Sequence, residues 1–171
     1  MTRRLDKRYT IAPVILVITV LAGFALRPTE PEGESITRDG DRDLRLLHQQ
    51  FQQAVVLLQH GEYDYAVKGF HDVLKVAPDM PEAHVNMGFA LLGLQEFDTA
   101  KSFFDSATAL KPEQSNAYYG LAIAHEGLGE LPEAVAAMRA FTHVAERDDQ
   151  HRRKAESAIW EWEAELSEQR E

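Results

Sequence analysis

The side chains able to do chemistry are sparse in this chain. Its seven histidines are scattered, and none is set in an HExxH pattern, the spacing that aims two imidazoles and a carboxylate base at one metal from a single helix. His143 and Glu146, three residues apart, come nearest to a ligand pair on a helix. Two ligands do not make a metal site, and such a pair reads more simply as a solvated helix face. There is no cysteine, which removes thiolate metal sites, a thiol nucleophile, disulfides and lipid carried on sulfur. No GxSxG elbow, phosphate-cradling glycine loop or convincing carboxylate pair is present, and these are the patterns that acyl and phosphoryl chemistry require. Gly127-Leu128-Gly129 reads as a helix–helix turn. The chain is therefore not expected to be an enzyme, and no cofactor or metal is expected.

The N-terminus differs in kind from the rest. Residues 1–8 carry Arg3, Arg4, Lys7 and Arg8 against Asp6. The next sixteen residues from Ile11 to Leu26 hold no charge, and ten of them are Ile, Leu, Val or Phe. As a helix they would span ~24 Å at ~1.5 Å per residue, extended by Tyr9 and Thr10 toward the ~30 Å of a hydrocarbon core. Residues 9–26 are thus expected to form a transmembrane anchor. The basic cluster before them and Glu30, Glu32 and Glu34 after them place the N-terminus in the cytoplasm and the remainder outside. That arrangement suits a single-pass protein of a bacterial inner membrane with a periplasmic domain. The alternative is a signal sequence cleaved near Ala25, with the product secreted to the periplasm. Residues 27–40 hold prolines, glycines and charges with Ile36 as the one large aliphatic, a composition that reads as a flexible linker.

From residue 39 to residue 171 there are 12 Lys and Arg against 24 Asp and Glu. A domain so acidic is repelled by phosphate backbones, which argues against a nucleic-acid partner.

Within that acidic part the sequence repeats with a period of 34 residues. Copies cover residues 47–80, 81–114 and 115–148. In this register Ala54, Gly88 and Ala122 align, as do Ala66, Ala100 and Ala134, and Phe70, Phe104 and Met138. Each copy holds two apolar stripes at three- and four-residue steps, the signature of a helix pair. In the middle copy the pair covers about Pro81 to Leu94 and Phe97 to Leu110. Pro78 and Pro112 close the first two copies. Small residues at the crossing points let the two backbones approach, with Phe97, Phe104 and Leu91 filling the flanks. A last helix, within 149–170, carries Ala155, Ile159, Trp162 and Leu166 on one stripe, with Trp160 on the opposite face.

This alternation of small and large residues resembles the tetratricopeptide repeat (TPR). Gly88, Ala100, Phe104 and Pro112 stand at the eighth, twentieth, twenty-fourth and thirty-second places of that pattern, and Ala54, Ala66, Phe70 and Pro78 match it in the first copy. The third copy departs from it, with Phe141 where a small residue is usual and no closing proline. The resemblance implies an all-α fold: a right-handed superhelical array of three helix pairs plus a C-terminal capping helix, residues 41–171, preceded by the one transmembrane helix. It also implies a concave groove lined by the first helix of each pair. Transferred position by position, the groove residues are Phe51 and Val55, then Val85, Asn86 and Phe89, then Tyr119, Ile123 and Glu126. His48, Gln52, Leu58, Glu82, Leu92, Asn116 and Gly120 complete the set. His84 and His125 stand at places where such repeats carry large packing residues, so packing is their expected role. The family members that grip a C-terminal carboxylate do so with a clamp of lysines, asparagines and an arginine. Here Asn86 matches its middle asparagine, but Phe51, Val55, Asn116 and Gly120 hold the other places without a cation, so the clamp is absent.

The implied function is a membrane-tethered protein–protein interaction module that holds a peptide or protein in the groove and scaffolds an envelope complex. An assembly factor or chaperone presenting a client, as in cytochrome c maturation or translocation, is the alternative. A metal-dependent enzyme ranks last. Partners are expected to be proteins or peptides, including other membrane-complex subunits, with a second copy of the chain as a further candidate through Trp160.

Overall fold

The computed structural model describes residues 32–149 and 151–169. The chain divides into two units, residues 1–43 and 44–171. Among the described residues there are seven helices and no strand. They are α1 (Glu32–Gln59), α2 (Tyr63–Val76), α3 (Pro81–Gly93), α4 (Phe97–Leu110), α5 (Ser115–Gly127), α6 (Leu131–Val144) and α7 (Arg152–Glu168).

The pairs α1–α2, α3–α4 and α5–α6 follow the 34-residue period, and their turns show why. Gly61, Gln95 and Gly129 stand one period apart and all have positive φ, at 76°, 62° and 75°. Two bonds close each turn. Glu62 N donates to Leu57 O, Glu96 N to Leu91 O and Glu130 N to His125 O, each at 2.9 Å. Inside them Gly61, Gln95 and Gly129 donate to the carbonyls of Leu58, Leu92 and Glu126. This is a Schellman closure, in which a left-handed residue lets the chain satisfy the last helical carbonyls and reverse. Pro81 opens α3 with Glu82 in its first turn, where a missing N–H costs little and a carboxylate complements the helix dipole.

Packing confirms the role of the small residues. Ala54, Ala66, Ala100, Ala122 and Ala134 are buried, as is Gly88. A Cβ built at Gly88 would fall 2.7 Å from the Phe104 ring, and one at Gly120 would fall 2.2 Å from it. Phe104 of α4 therefore lies against α3 of its own pair and α5 of the next, and its contact with both depends on glycine. The relation of Tyr63 to Gly93 recurs as Phe97 to Gly127, each ring 2.5 Å from the absent Cβ. Phe70, Phe104 and Phe141 are fully buried and Met138 nearly so. Withdrawing each such ring from water contributes ~1.5–3 kcal/mol.

Helix α7 closes the array on α6. Ala155 and Trp162 are buried, with Ile159 and Leu166 packed beside them. Trp162 is 5% exposed and Trp160 72%, as the expected stripe and its opposite face require. Arg139 pairs with Glu163 across the α6–α7 junction.

The transmembrane segment, residues 9–26, lies outside the described residues, as do residues 1–8. Among the described residues no helix is long and apolar enough to cross a membrane. Helix α1 begins at Glu32, inside the segment 27–40 that composition assigns to a flexible tether. Composition scores a segment alone, whereas a helix once nucleated grows at small cost per residue. No proline falls between Glu32 and Gln59, and the glycines Gly33 and Gly40 oppose growth most, at ~1 kcal/mol each.

Candidate partner-binding groove

The first helices of the pairs present the candidate surface, and α3 and α5 touch directly. On α3 the positions Glu82, Val85, Asn86 and Phe89 fall on one face at 3.6 residues per turn. The corresponding face of α5 carries Asn116, Tyr119, Ile123 and Glu126, and that of α1 carries His48, Gln52 and Val55.

Depth separates these residues into two groups. Phe51 is 9% exposed and sets its ring edge-on to Phe70, with centroids 5.9 Å apart. Val85 is 4% exposed. Both belong to the core, which corrects the expectation that they form part of an open apolar strip. Phe51 meets Phe70 of α2, and Val85 lies in the same buried cluster. Val55, Asn86, Phe89, Tyr119 and Ile123 are half-buried. Phe89 rests edge-on against Phe104 at 5.1 Å. Tyr119 lies against Phe141 at 5.3 Å and against His151 at 5.2 Å. Asn86 Nδ2 donates to the Glu82 carbonyl at 2.8 Å, so its own helix satisfies it. Glu126 is exposed, and its Oε1 accepts from Trp162 Nε1 at 3.1 Å. The result is a narrow strip of half-exposed apolar side chains, Val55, Phe89, Tyr119 and Ile123. His48, Gln52, Asn116 and Glu126 are exposed along the same faces.

The C-terminal end of this surface has features that sequence reasoning missed. His151 and Trp162 of the capping region reach Tyr119 and Glu126, although the cap does not follow the 34-residue register. Burial, and secondarily the charge of Glu126, raises the Tyr119 hydroxyl above its ordinary pKa. Beneath, Glu130 accepts from His125 Nδ1 at 2.6 Å and from Lys101 Nζ at 3.3 Å. These two bonds, His125 first, hold the Glu130 carboxyl below the usual range. A carboxylate between two donors ties α4 to the α5–α6 turn. His125 is half-buried and donates to Glu130 of its own helix pair, a polar link at a place where the resemblance implied packing.

On the opposite side of α3 a hollow of about 280 Å³ is lined by His71, Leu74, Pro78, His84, Met87 and Phe103. His84 Nε2 donates to the Pro78 carbonyl at 2.7 Å, and its ring packs on Phe103 at 5.8 Å. Its Nδ1 is buried and has no partner among the described residues.

The pair His143–Glu146 is not a helical pair. Helix α6 ends at Val144, and Ala145 turns to extended geometry at φ −65°, ψ 145°, so the two side chains lose the spacing of one helical face. Among the described residues no group of three or more His, Asp or Glu is arranged to hold a metal ion.

Comparison with known proteins follows the same outline. Residues 86–151 match a family model described as tetratricopeptide repeat. A search of curated proteins finds no match. Among solved structures, the first TPR of Spaghetti (RPAP3) bound to the HSP90 peptide SRMEEVD is similar with a TM-score of 0.65 at 20% identity, covering 71% of this chain and 93% of that one. The translocator chaperone SycD of Yersinia enterocolitica type III secretion is similar with a TM-score of 0.66 at 15% identity, covering 70% and 93%. The TPR2B domain of yeast Sti1 in complex with an Hsp70 peptide is similar with a TM-score of 0.62 at 19% identity, covering 68% and 98%. The fold is thus that of TPR arrays, with three helix pairs and a cap.

Proposed function

We propose that this chain is a protein–protein interaction module that holds a peptide or protein partner along Val55, Phe89, Tyr119 and Ile123. The observation that carries this reading is the strip itself: half-exposed apolar and aromatic side chains on a rigid face, bordered by polar groups. That is the makeup of a surface on which a few anchors supply most of the binding energy. Similar folds in RPAP3 and Sti1 were solved with HSP90 and Hsp70 peptides, which supports the class of partner.

The apolar residues 9–26 and their flanking charges support a further part of the proposal. They would tether the module to a cell membrane, its repeats on the extracytoplasmic side, where it scaffolds an envelope complex. A second reading, an assembly factor that presents a client, draws on the likeness to the chaperone SycD. Release of the client once it has folded would separate that reading from a static scaffold.

The test must spare the core. Phe89 and Tyr119 stack on buried rings, so charged substitutions there would disturb folding as well as binding. Gln52→Trp and Asn116→Trp instead add bulk at exposed positions on the strip. Both variants are expected to keep the helical circular-dichroism melt and to lose the co-purifying partner. Retention of the partner by both would remove the groove from the account.

A further inference from the structure

The strip carries a sign as well as a shape. Between Leu44 and Gln169 there are 10 Lys and Arg against 20 Asp and Glu. Lys75, Lys101, Lys111, Arg139 and Arg152 are each paired with a carboxylate, which uses up half of the cations. The polar positions along the strip are His48, Gln52, Glu82, Asn86, Asn116 and Glu126, with no lysine or arginine among them. Glu82 is offset by Lys111 at 3.2 Å. Among the described residues Glu126 forms no ion pair: it accepts from the neutral indole N–H of Trp162, which orients the carboxylate and leaves its charge in place. Burial first, and the charge of Glu126 second, raise the pKa of the Tyr119 hydroxyl on the same face. The charge left standing at these positions is that of Glu126, and it is negative.

Building on the interaction reading above, we infer that the partner is a cationic peptide segment: apolar anchors for Val55, Phe89, Tyr119 and Ile123, flanked by Lys or Arg that face Glu126 on a domain of acidic balance. A net negative domain attracts such a segment from a distance and raises its encounter rate. Anchors that enter the strip then slow its departure. An acidic peptide gains the same apolar contacts but meets repulsion with no cation to receive its carboxylates. Salt distinguishes the two contributions, because screening weakens attraction between exposed charges and leaves apolar contacts standing.

The experiment uses the full chain in a nonionic detergent and fluorescence anisotropy of three labelled peptides. One carries leucine and phenylalanine anchors flanked by lysines. The second has the same anchors flanked by glutamates. The third is SRMEEVD, the acidic peptide found with RPAP3. At low salt the lysine peptide is expected to bind at least tenfold tighter than the glutamate peptide, with SRMEEVD weakest. Half-molar salt should close most of that gap. Glu126→Gln should weaken the lysine peptide severalfold, and Asn116→Trp should abolish its binding.

Equal or tighter binding of the glutamate peptide, itself lost in Asn116→Trp, overturns the charge inference and leaves the groove in place. Lysine-peptide binding untouched by Asn116→Trp overturns the groove reading and this inference with it. A strip already filled by a second copy or by the chain's own N-terminal residues would bind neither peptide, and that result also overturns the inference.

Discussion

One backbone torsion sets the middle turn apart from its neighbours. Gly61 and Gly129 adopt positive φ without steric penalty, whereas Gln95 holds φ 62° with a side chain attached. A non-glycine residue in that region carries a cost of about 1 kcal/mol. Gln95→Gly is expected to raise the melting temperature by about 2–4 °C, measured by circular dichroism. An unchanged or lower value would mean that contacts of the Gln95 side chain offset its strain. At this scale the sequence was informative where one atom decides the outcome. Ala66, Ala100 and Ala134 could be placed at crossings because nothing larger fits between two touching backbones. Depth was harder to read. Phe51 and Val85 carry the right residue type at groove positions, yet both are buried, and periodicity assigns a face without giving its depth. The strain at Gln95 has a single hint in the sequence, glycine at the two equivalent sites Gly61 and Gly129.

Helices meet through a small number of polar links whose strength depends on pH. Glu130 receives His125 and Lys101 and joins α4 to the α5–α6 turn. Its carboxyl is held below the ordinary value of 4.5. A group shifted in that direction stabilises the fold fully above 4.5, and the contribution is lost as pH falls through the lower folded value. Glu130→Gln is therefore expected to melt below the unsubstituted chain at neutral pH. That gap should narrow as the pH falls from about 6 to about 3.5. A gap of constant size across the range would show that the carboxylate charge contributes nothing there. Element boundaries were legible where caps and prolines mark them, as at Pro81 and in the Schellman turns. They were not legible at the two ends. Helix α1 runs back to Glu32 because extending an existing helix is cheap, and local composition does not register that continuity. His143 and Glu146 do not share the solvated helix face expected of them, because α6 stops at Val144, two residues before Glu146. The cap was foreseen as a helix, but its links from Trp162 to Glu126 and from His151 to Tyr119 break the repeat register that guided the rest.

For the molecule as a whole, the 34-residue period carries most of the information. It dictates stacked pairs, because a single pair cannot cover its own apolar faces, and a surface of first helices follows from that stacking. The acidic balance then sets what such a surface attracts. Which protein supplies the partner segment is not written in the period or in the charge, since both describe only one half of a complementary pair. The claim that the first-helix strip is the partner surface is tested most directly by site-specific photocrosslinking in cells. A photoreactive residue replaces Asn116 on the strip in one variant and Tyr65, 59% exposed on α2, in another. The account predicts that the Asn116 variant captures one defined partner in the membrane fraction, that Gln52→Trp abolishes this capture, and that the Tyr65 variant captures nothing comparable. Capture from Tyr65 with none from Asn116 would contradict it.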